Sequence, residues 1–197
     1  MVLLGNRSEI IKPIGENDDV LYENESSGTQ YVAFSVRLEE QWQAPTWGIV
    51  LQLHGPASLG VHPSFHVELN DHFSIYLHAG DLDGTHIENT EYLLSDGSIH
   101  PGAWTDFVLK IKFSKSYTGS VDVWRREEGE ADFTSILSLA DVPTLQYKSS
   151  LGPNAGDHYW QHGFYRQAEY FTNILWLDCF TRGSDFDAVV AKAWPES

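Results

Sequence analysis

The chain has little cysteine, little positive charge and no long apolar run. Its one cysteine, Cys179, has no second thiol to pair with, so no internal disulfide staples the fold. It sits in the run Ile174 to Phe180 and reads as a small core hydrophobe; one thiol does not report the redox compartment. Lys and Arg number 12 against 28 Asp and Glu, a formal net charge of −16. That balance argues against nucleic acid or an anionic membrane as partner. No apolar stretch is long enough to span a bilayer as a helix. The stretch Met1 to Arg7 lacks the charged n-region and apolar h-region of a secretory leader, so either export does not use that route or a leader lies outside this chain. Helical periodicity is scarce, and there is no internal repeat or low-complexity tract. The nine histidines show no HExxH or other tight metal-ligand spacing, so a zinc site is not expected.

What is present is β-sheet pattern. The 197 residues suit one domain, 1–197, able to bury roughly 70% of the surface its unfolded form exposes. Period-two runs rich in β-branched and aromatic residues recur between Gly, Pro, Asn and Asp. They predict strands over Thr29 to Leu38, Trp47 to His54, Ser64 to Leu69, His72 to His78, Trp104 to Phe113, Ser120 to Arg126, Trp160 to Glu169 and Phe171 to Thr181. Ser114 to Gly119 reads as a hairpin connection ending in Gly. Glu39 to Thr46, Gly80 to Thr90 and Leu151 to His158 read as the main loops, and Glu127 to Glu130 as a solvated hairpin tip. Many short strands with turn signals between them indicate an all-β, two-sheet antiparallel sandwich. The 7 Trp, 9 Tyr and 10 Phe will partly fill the core, and flat aromatic faces also suit sugar rings.

Three segments carry candidate chemistry. In Trp47 to Gly55, residues two apart share a strand face, so Gln52 and His54 point one way with Val50 behind them, and Leu51 and Leu53 point into the core. In Tyr159 to Gln167, the same alternation gathers Tyr159, Gln161, Gly163, Tyr165 and Gln167 on one face, with a Gly leaving space beside Tyr165. In Asn6 to Ile10, Arg7 and Glu9 share a face. Each has a plain alternative: a satisfied polar pair, a tyrosine-rich outer face, and a surface ion pair.

Together, in this order, the segments resemble the polysaccharide lyases with a concanavalin-like jelly roll: alginate lyases, glucuronan lyases and heparin lyase I. Those families carry an Arg-Ser-Glu strand, a Gln-x-His strand and, in the alginate lyases, a Tyr-x-Lys-Ala-Gly-x-Tyr-x-Gln strand. Here the matching residues are Arg7-Ser8-Glu9, Gln52-Leu53-His54, and Tyr159, Gly163, Tyr165 and Gln167. Gln161-His162 stands where the alginate pattern has Lys-Ala. Gln52 to Gly55, Trp104 to Val108 with Val121 to Arg125, and Gly163 to Arg166 are similar to the glucuronan and heparin-lyase-like group. The Arg-Ser-Glu strand begins almost at residue 1, where such domains have a strand before it. The resemblance thus implies a domain of a longer protein, such as a phage tail component, or a trimmed one, secreted or virion-associated.

The implied chemistry is β-elimination on a 4-linked uronate of an acidic polysaccharide, glucuronan-like rather than alginate, by a monomer needing no cofactor for the reaction. The C5 proton is hard to remove beside a carboxylate, so that charge must be neutralised first. Gln52 and Arg7 are expected to hold the carboxylate, Arg7 by its bidentate fork. His54, an imidazole with an ordinary pKa of about 6.5, can take the proton, and the phenol of Tyr165 can donate one to the departing O4. Whether the two divide the work or Tyr165 does both depends on which side of the ring C5–H lies. Tyr159, Trp160, Gln161 and Gln167 are expected to bind substrate, and the few cations to cluster at the cleft. Arg7, Arg37, Lys110 and Lys112 are candidates by alternation, although Lys110 and Lys112 equally suit an outer face. The resemblance also implies a structural Ca²⁺, with Asp178 and Glu23 or Glu25 as candidate ligands; the plainer role for Asp178 is a strand-end carboxylate bonded to backbone. Two rivals stand beside this. A retaining glycoside hydrolase needs paired carboxylates on one face, and Phe65 to Asn70 offers one. A non-catalytic carbohydrate-binding or adhesin-like module would use the same sandwich.

Overall fold

The computed structural model describes residues 6–11 (backbone only), 22–60, 62–84, 87–152 and 156–195. In chain order the strands are β1 (Asn6–Ile11), β2 (Tyr22–Glu23), β3 (Thr29–Leu38), β4 (Gly48–His54), β5 (Phe65–Leu69), β6 (His72–Asp81), β7 (Ile87–Ser98), β8 (Trp104–Lys112), β9 (Gly119–Glu127), β10 (Thr134–Val142), β11 (Gln146–Tyr147), β12 (His158–Arg166) and β13 (Leu175–Gly183), followed by helix α1 (Phe186–Ala193). They build two facing sheets, the sandwich the alternation predicts. The larger runs β1-β12-β4-β5-β6-β11, with β2 also on β12 and β7 also on β6; the smaller runs β10-β9-β8-β3-β13. Pairing is antiparallel except where β11 lies parallel to β6.

The alternating apolar residues close the space between the sheets. Phe34 of β3 stacks on Phe107 of β8 with centroids 5.2 Å apart, and Phe107 meets Phe73 of β6 edge-on at 4.9 Å. Leu51, Leu53, Phe65, Val67, Ile75 and Leu77 complete the inward face of the larger sheet, all essentially inaccessible. Turning these residues inward forces their neighbours, Gln52, His54, His66, Glu68, Tyr76 and His78, onto the opposite face.

Several expectations are corrected. Trp160 is not a sugar platform: it is wholly buried, edge-on to Phe65 and Phe180, with its indole N–H donating to Glu23. Val50 does not stand behind Gln52. The register between β12 and β4 shifts between His162 and Tyr165, and that between β4 and β5 between Ile49 and Leu51. These bulges turn Val50 into the core and set Ile49 on the outer face. The stretch Gly80 to Thr90 is a loop only in part, because β6 runs to Asp81 and β7 begins at Ile87. Strands β7 and β10 have no counterpart in the predicted set. Both are edge strands with few buried positions, so neither shows an apolar period. Helix α1 was likewise not expected. Asp185 caps it by accepting the Ala188 N–H at 2.8 Å, and Val189 and Ala193 pack on Ala33 and Val108 of the smaller sheet's outer face.

Candidate active site

The outer face of the larger sheet holds a groove of about 930 Å³. Strand β12 supplies Tyr159, Gln161 and Tyr165, β4 supplies Ile49, Gln52 and His54, β5 supplies His66 and Glu68, and β6 supplies Tyr76 and His78. The pairing register arranges them in transverse rows. Gln161 lies directly across from Gln52, Gln52 from His66, and His66 from Tyr76. One row along, Tyr159 faces His54, and their rings stack with centroids 5.7 Å apart. Tyr165 lies four residues along β12 from Gln161, about 13 Å of strand, opposite Ile49 and edge-on to Trp47 at 5.0 Å. The polar groups are therefore spread along the strand direction, a layout for an extended ligand.

Gln52 and Gln161 are each 2% exposed, so two amides sit side by side in the groove floor where their N–H groups can meet a carboxylate. The Nδ1 of His54 lies 2.7 Å from the Gly55 carbonyl oxygen. A carbonyl only accepts, so the neutral ring carries its proton on Nδ1 and its lone pair on Nε2, the form required of a base. The backbone of Arg7 pairs directly with Tyr165; its side chain lies outside the described residues, as does that of Glu9.

Other expected residues lie elsewhere. Gln167 follows the end of β12, where its N–H donates to the Trp47 carbonyl, and it does not line the groove. Arg37 and Lys110 belong to the smaller sheet, because β3 and β8 pair there. Arg37 lies over the Trp176 ring at 5.6 Å, and Lys110 is 3.3 Å from Asp122. Arg166 faces away from the groove, donating to the Gln167 and Phe171 carbonyls. Among the described residues no Lys or Arg lines the groove. The carboxylates considered for calcium are engaged otherwise. Glu23 is buried against Arg182 and Trp160, Asp178 accepts the Cys179 N–H at 2.7 Å, and Glu25 accepts the Lys115 N–H. Among the described residues no group of three or more His, Cys, Asp or Glu is arranged to hold a metal.

The unforeseen part of the groove is histidine. His62, His66 and His78 line its far side, with Tyr76 and Glu68. The signal was available: His66 with Glu68, and Tyr76 with His78, have the same two-residue spacing as Gln52 with His54. Behind the groove, burial pushes His158 down to about 3 and His162 down to about 4, so both core-side rings of β12 are neutral.

The polysaccharide lyase family model matches residues 2–181. The chain belongs to the polysaccharide lyase family. It is a carbon–oxygen lyase acting on polysaccharides, and its substrate is a polysaccharide. The sandwich is similar to that of an endo-β-1,4-glucuronan lyase from the fungus Trichoderma reesei, with TM-score 0.70 and 19% identity over 100% of this chain and 80% of that one. An alginate lyase from Pseudomonas aeruginosa matches with TM-score 0.54 and 16% identity over 91% of this chain and 74% of that one. A PL-14 alginate lyase from the marine Aplysia kurodai matches with TM-score 0.53 and 10% identity over 90% and 82%. At these identities the lyase shares their jelly-roll fold. No curated protein sequence matches the chain.

Proposed function

We propose that the lyase cleaves a 4-linked, uronic-acid-containing polysaccharide of glucuronan type by β-elimination in the groove on β4 and β12. The observation that carries this reading is the row of buried amides, Gln52 opposite Gln161, beside the lone-pair nitrogen of His54. A uronate carboxylate against those amides is stabilised more as charge moves onto it than in the ground state. The C5–H bond then breaks, its electron pair forms the C4=C5 bond, and the C4–O4 bond breaks towards O4. His54 takes the C5 proton and Tyr165 gives a proton to O4, or Tyr165 serves both steps where C5–H and O4 lie on its side. Arg7, whose backbone pairs with Tyr165, is assigned to the carboxylate as well. The glucuronan preference is supported by Gln161-His162 in place of Lys-Ala, and by the nearer fold match to the glucuronan lyase than to the alginate lyases quoted above.

The test is to incubate the protein with glucuronan, alginate, heparin and related polyuronides and follow ultraviolet absorbance from the new C4=C5 double bond. Absorbance should rise first and fastest on glucuronan. A rise on alginate alone would overturn the glucuronan assignment, and none on any polyuronide would overturn β-elimination.

A further inference from the structure

The groove extends past the proposed centre onto β5 and β6, and what stands there is a cluster of imidazoles built from the core outward. Gln146 of β11, 2% exposed, donates through its side-chain amide to the carbonyls of His62 at 3.1 Å and His78 at 2.7 Å. One buried amide thus ties two histidine backbones together, and their rings sit 5.4 Å apart. The Nδ1 of His78 and the hydroxyl of Tyr76 both meet Asn89 Oδ1, at 2.8 and 2.9 Å. That amide oxygen only accepts, so His78 holds a proton on Nδ1. His66 stacks on Tyr76 at 5.0 Å with rings 9° from parallel, and its Nε2 lies 3.4 Å from Glu68 Oε2. Its Nδ1 is buried in the groove wall with no hydrogen-bond partner. A buried ring nitrogen without a partner leaves a hydrogen bond unmade, which a ligand at this ring can supply once the ring turns towards the groove.

We propose that His62, His66 and His78 form a carboxylate subsite for a uronate next to the reacting one, and that filling it draws protons onto the cluster. The proposal rests on the acidic-glycan reading of the groove, but its test needs no turnover. The other titratable groups facing the cluster are His54 of β4, Glu68 of β5, Tyr76 of β6, and Tyr159 and Tyr165 of β12; β7 contributes the neutral amide of Asn89 and, directly across from Tyr76, the carboxylate of Glu91, which accepts from Ser74. The ammonium of Lys148 donates to the Ser58 carbonyl and does not line the groove. Burial first, then His78, His66 and His54, hold the pKa of His62 below its ordinary value. The rings of His78 and His66 beside it thus disfavour a charge on His62. An entering carboxylate reverses that, because an anion within reach favours the protonated ring. Linkage then ties affinity to pH: between the ring's free-state and bound-state pKa values, one proton taken up on binding tightens the dissociation constant about tenfold for each unit of falling pH.

The experiment is calorimetric titration of Tyr165→Phe protein with a β-1,4-linked glucuronate oligosaccharide, in two buffers of different ionisation enthalpy, from about pH 7.5 to about pH 6. A neutral cello-oligosaccharide of equal length is the comparator. Uptake of about one proton is expected, with affinity rising towards low pH for the acidic chain alone. His62→Gln, in the loop before β5, should lose at least half of the proton uptake. His100→Gln, which removes an exposed ring paired with Glu127 away from the groove, should keep it. Ring-nitrogen NMR of the unsubstituted histidines under the same titration reads protonation without any histidine change. Binding without proton uptake, equal binding of the neutral chain, full uptake in His62→Gln, or no binding of the acidic chain would each overturn the subsite. An ultraviolet signal with pH-independent binding would sink the subsite and keep the elimination chemistry; proton-linked binding without that signal would do the reverse.

Discussion

The two sheets treat polar side chains in opposite ways. On the smaller sheet Arg125, Arg126 and Arg182 are each answered by the protein itself. Arg126 forks onto Asp106 at 2.7 and 3.1 Å, Ser35 donates to the same carboxylate, and Phe133 and Trp194 cover the guanidinium. Arg125 is bound by Asp96, Glu127 and the Ser98 carbonyl, and Arg182 by Glu23. On the larger sheet the groove presents amides, phenols, imidazoles and the single carboxylate of Glu68, with no described Lys or Arg. Buried charge that is already paired serves architecture. Amide, phenol and imidazole donors facing a concave surface are what an incoming polyanion can use. The net charge of −16 does not exclude an acidic substrate, because the local potential of a groove governs what enters it, and among the described residues Glu68 is the one carboxylate lining this groove.

The largest expected effect tests the groove side of this contrast. Tyr165→Phe should lower kcat by about 10² to 10⁴, as removal of a general acid does, with the denaturation midpoint nearly unchanged. Tyr159→Phe, which keeps the ring stacked on His54, should cost less than about tenfold. If the two effects trade places, the proton donor is Tyr159.

Arg126→Met tests the other sheet. It leaves Asp106 buried without its partner and should destabilise by about 3–5 kcal/mol in urea titrations, while kcat per folded molecule stays at the wild-type level. A change in kcat would break the division of labour between the sheets.

Strand β12 carries the same contrast on its two faces, and pH reads the core side. His158 and His162 have folded pKa values below the ordinary 6.5. Their stabilisation is present in full above that value and is lost as pH falls, because the unfolded chain takes up protons that the native interior refuses. From about pH 7 to about pH 5 each ring should cost about 2 kcal/mol of stability. Urea unfolding at the two pH values measures it, and His162→Leu should remove about half of the difference.

The smallest effect concerns the cations that alternation offered to the cleft. Lys110→Ala and Arg37→Ala should change stability by less than about 1 kcal/mol and leave KM unchanged, since Lys110 pairs with Asp122 and Arg37 lies over Trp176 on the smaller sheet. A clear rise in KM would place substrate on that sheet.

Alternation made much of this legible. Strand β3 runs over Thr29–Leu38 as the period predicts, and the same-face placing of Gln52 with His54, and of Tyr159, Gln161 and Tyr165, follows from it. Alternation cannot show a bulge, so Ile49 and Val50 exchanged faces unannounced. It cannot assign a strand to a sheet, which is why Arg37 and Lys110 stood as candidates for the groove. Alternation sets Trp160 on the face opposite Tyr159 and Gln161, so its expected contact with substrate went against the period, and the structure buries it. Edge strands β7 and β10 bury too little to leave a period. His62, His66 and His78 come from a loop and two strands and meet only through pairing and the Gln146 clamp.

The most direct test of the central claim, that the groove of the larger sheet does the chemistry, is the ultraviolet assay on glucuronan with wild-type, Tyr165→Phe and Lys110→Ala proteins at equal folded concentration. The account predicts a steady rise in absorbance for wild type and Lys110→Ala, and a rate at least about a hundredfold lower for Tyr165→Phe. Wild-type rates in Tyr165→Phe, or a collapse in Lys110→Ala, would contradict it.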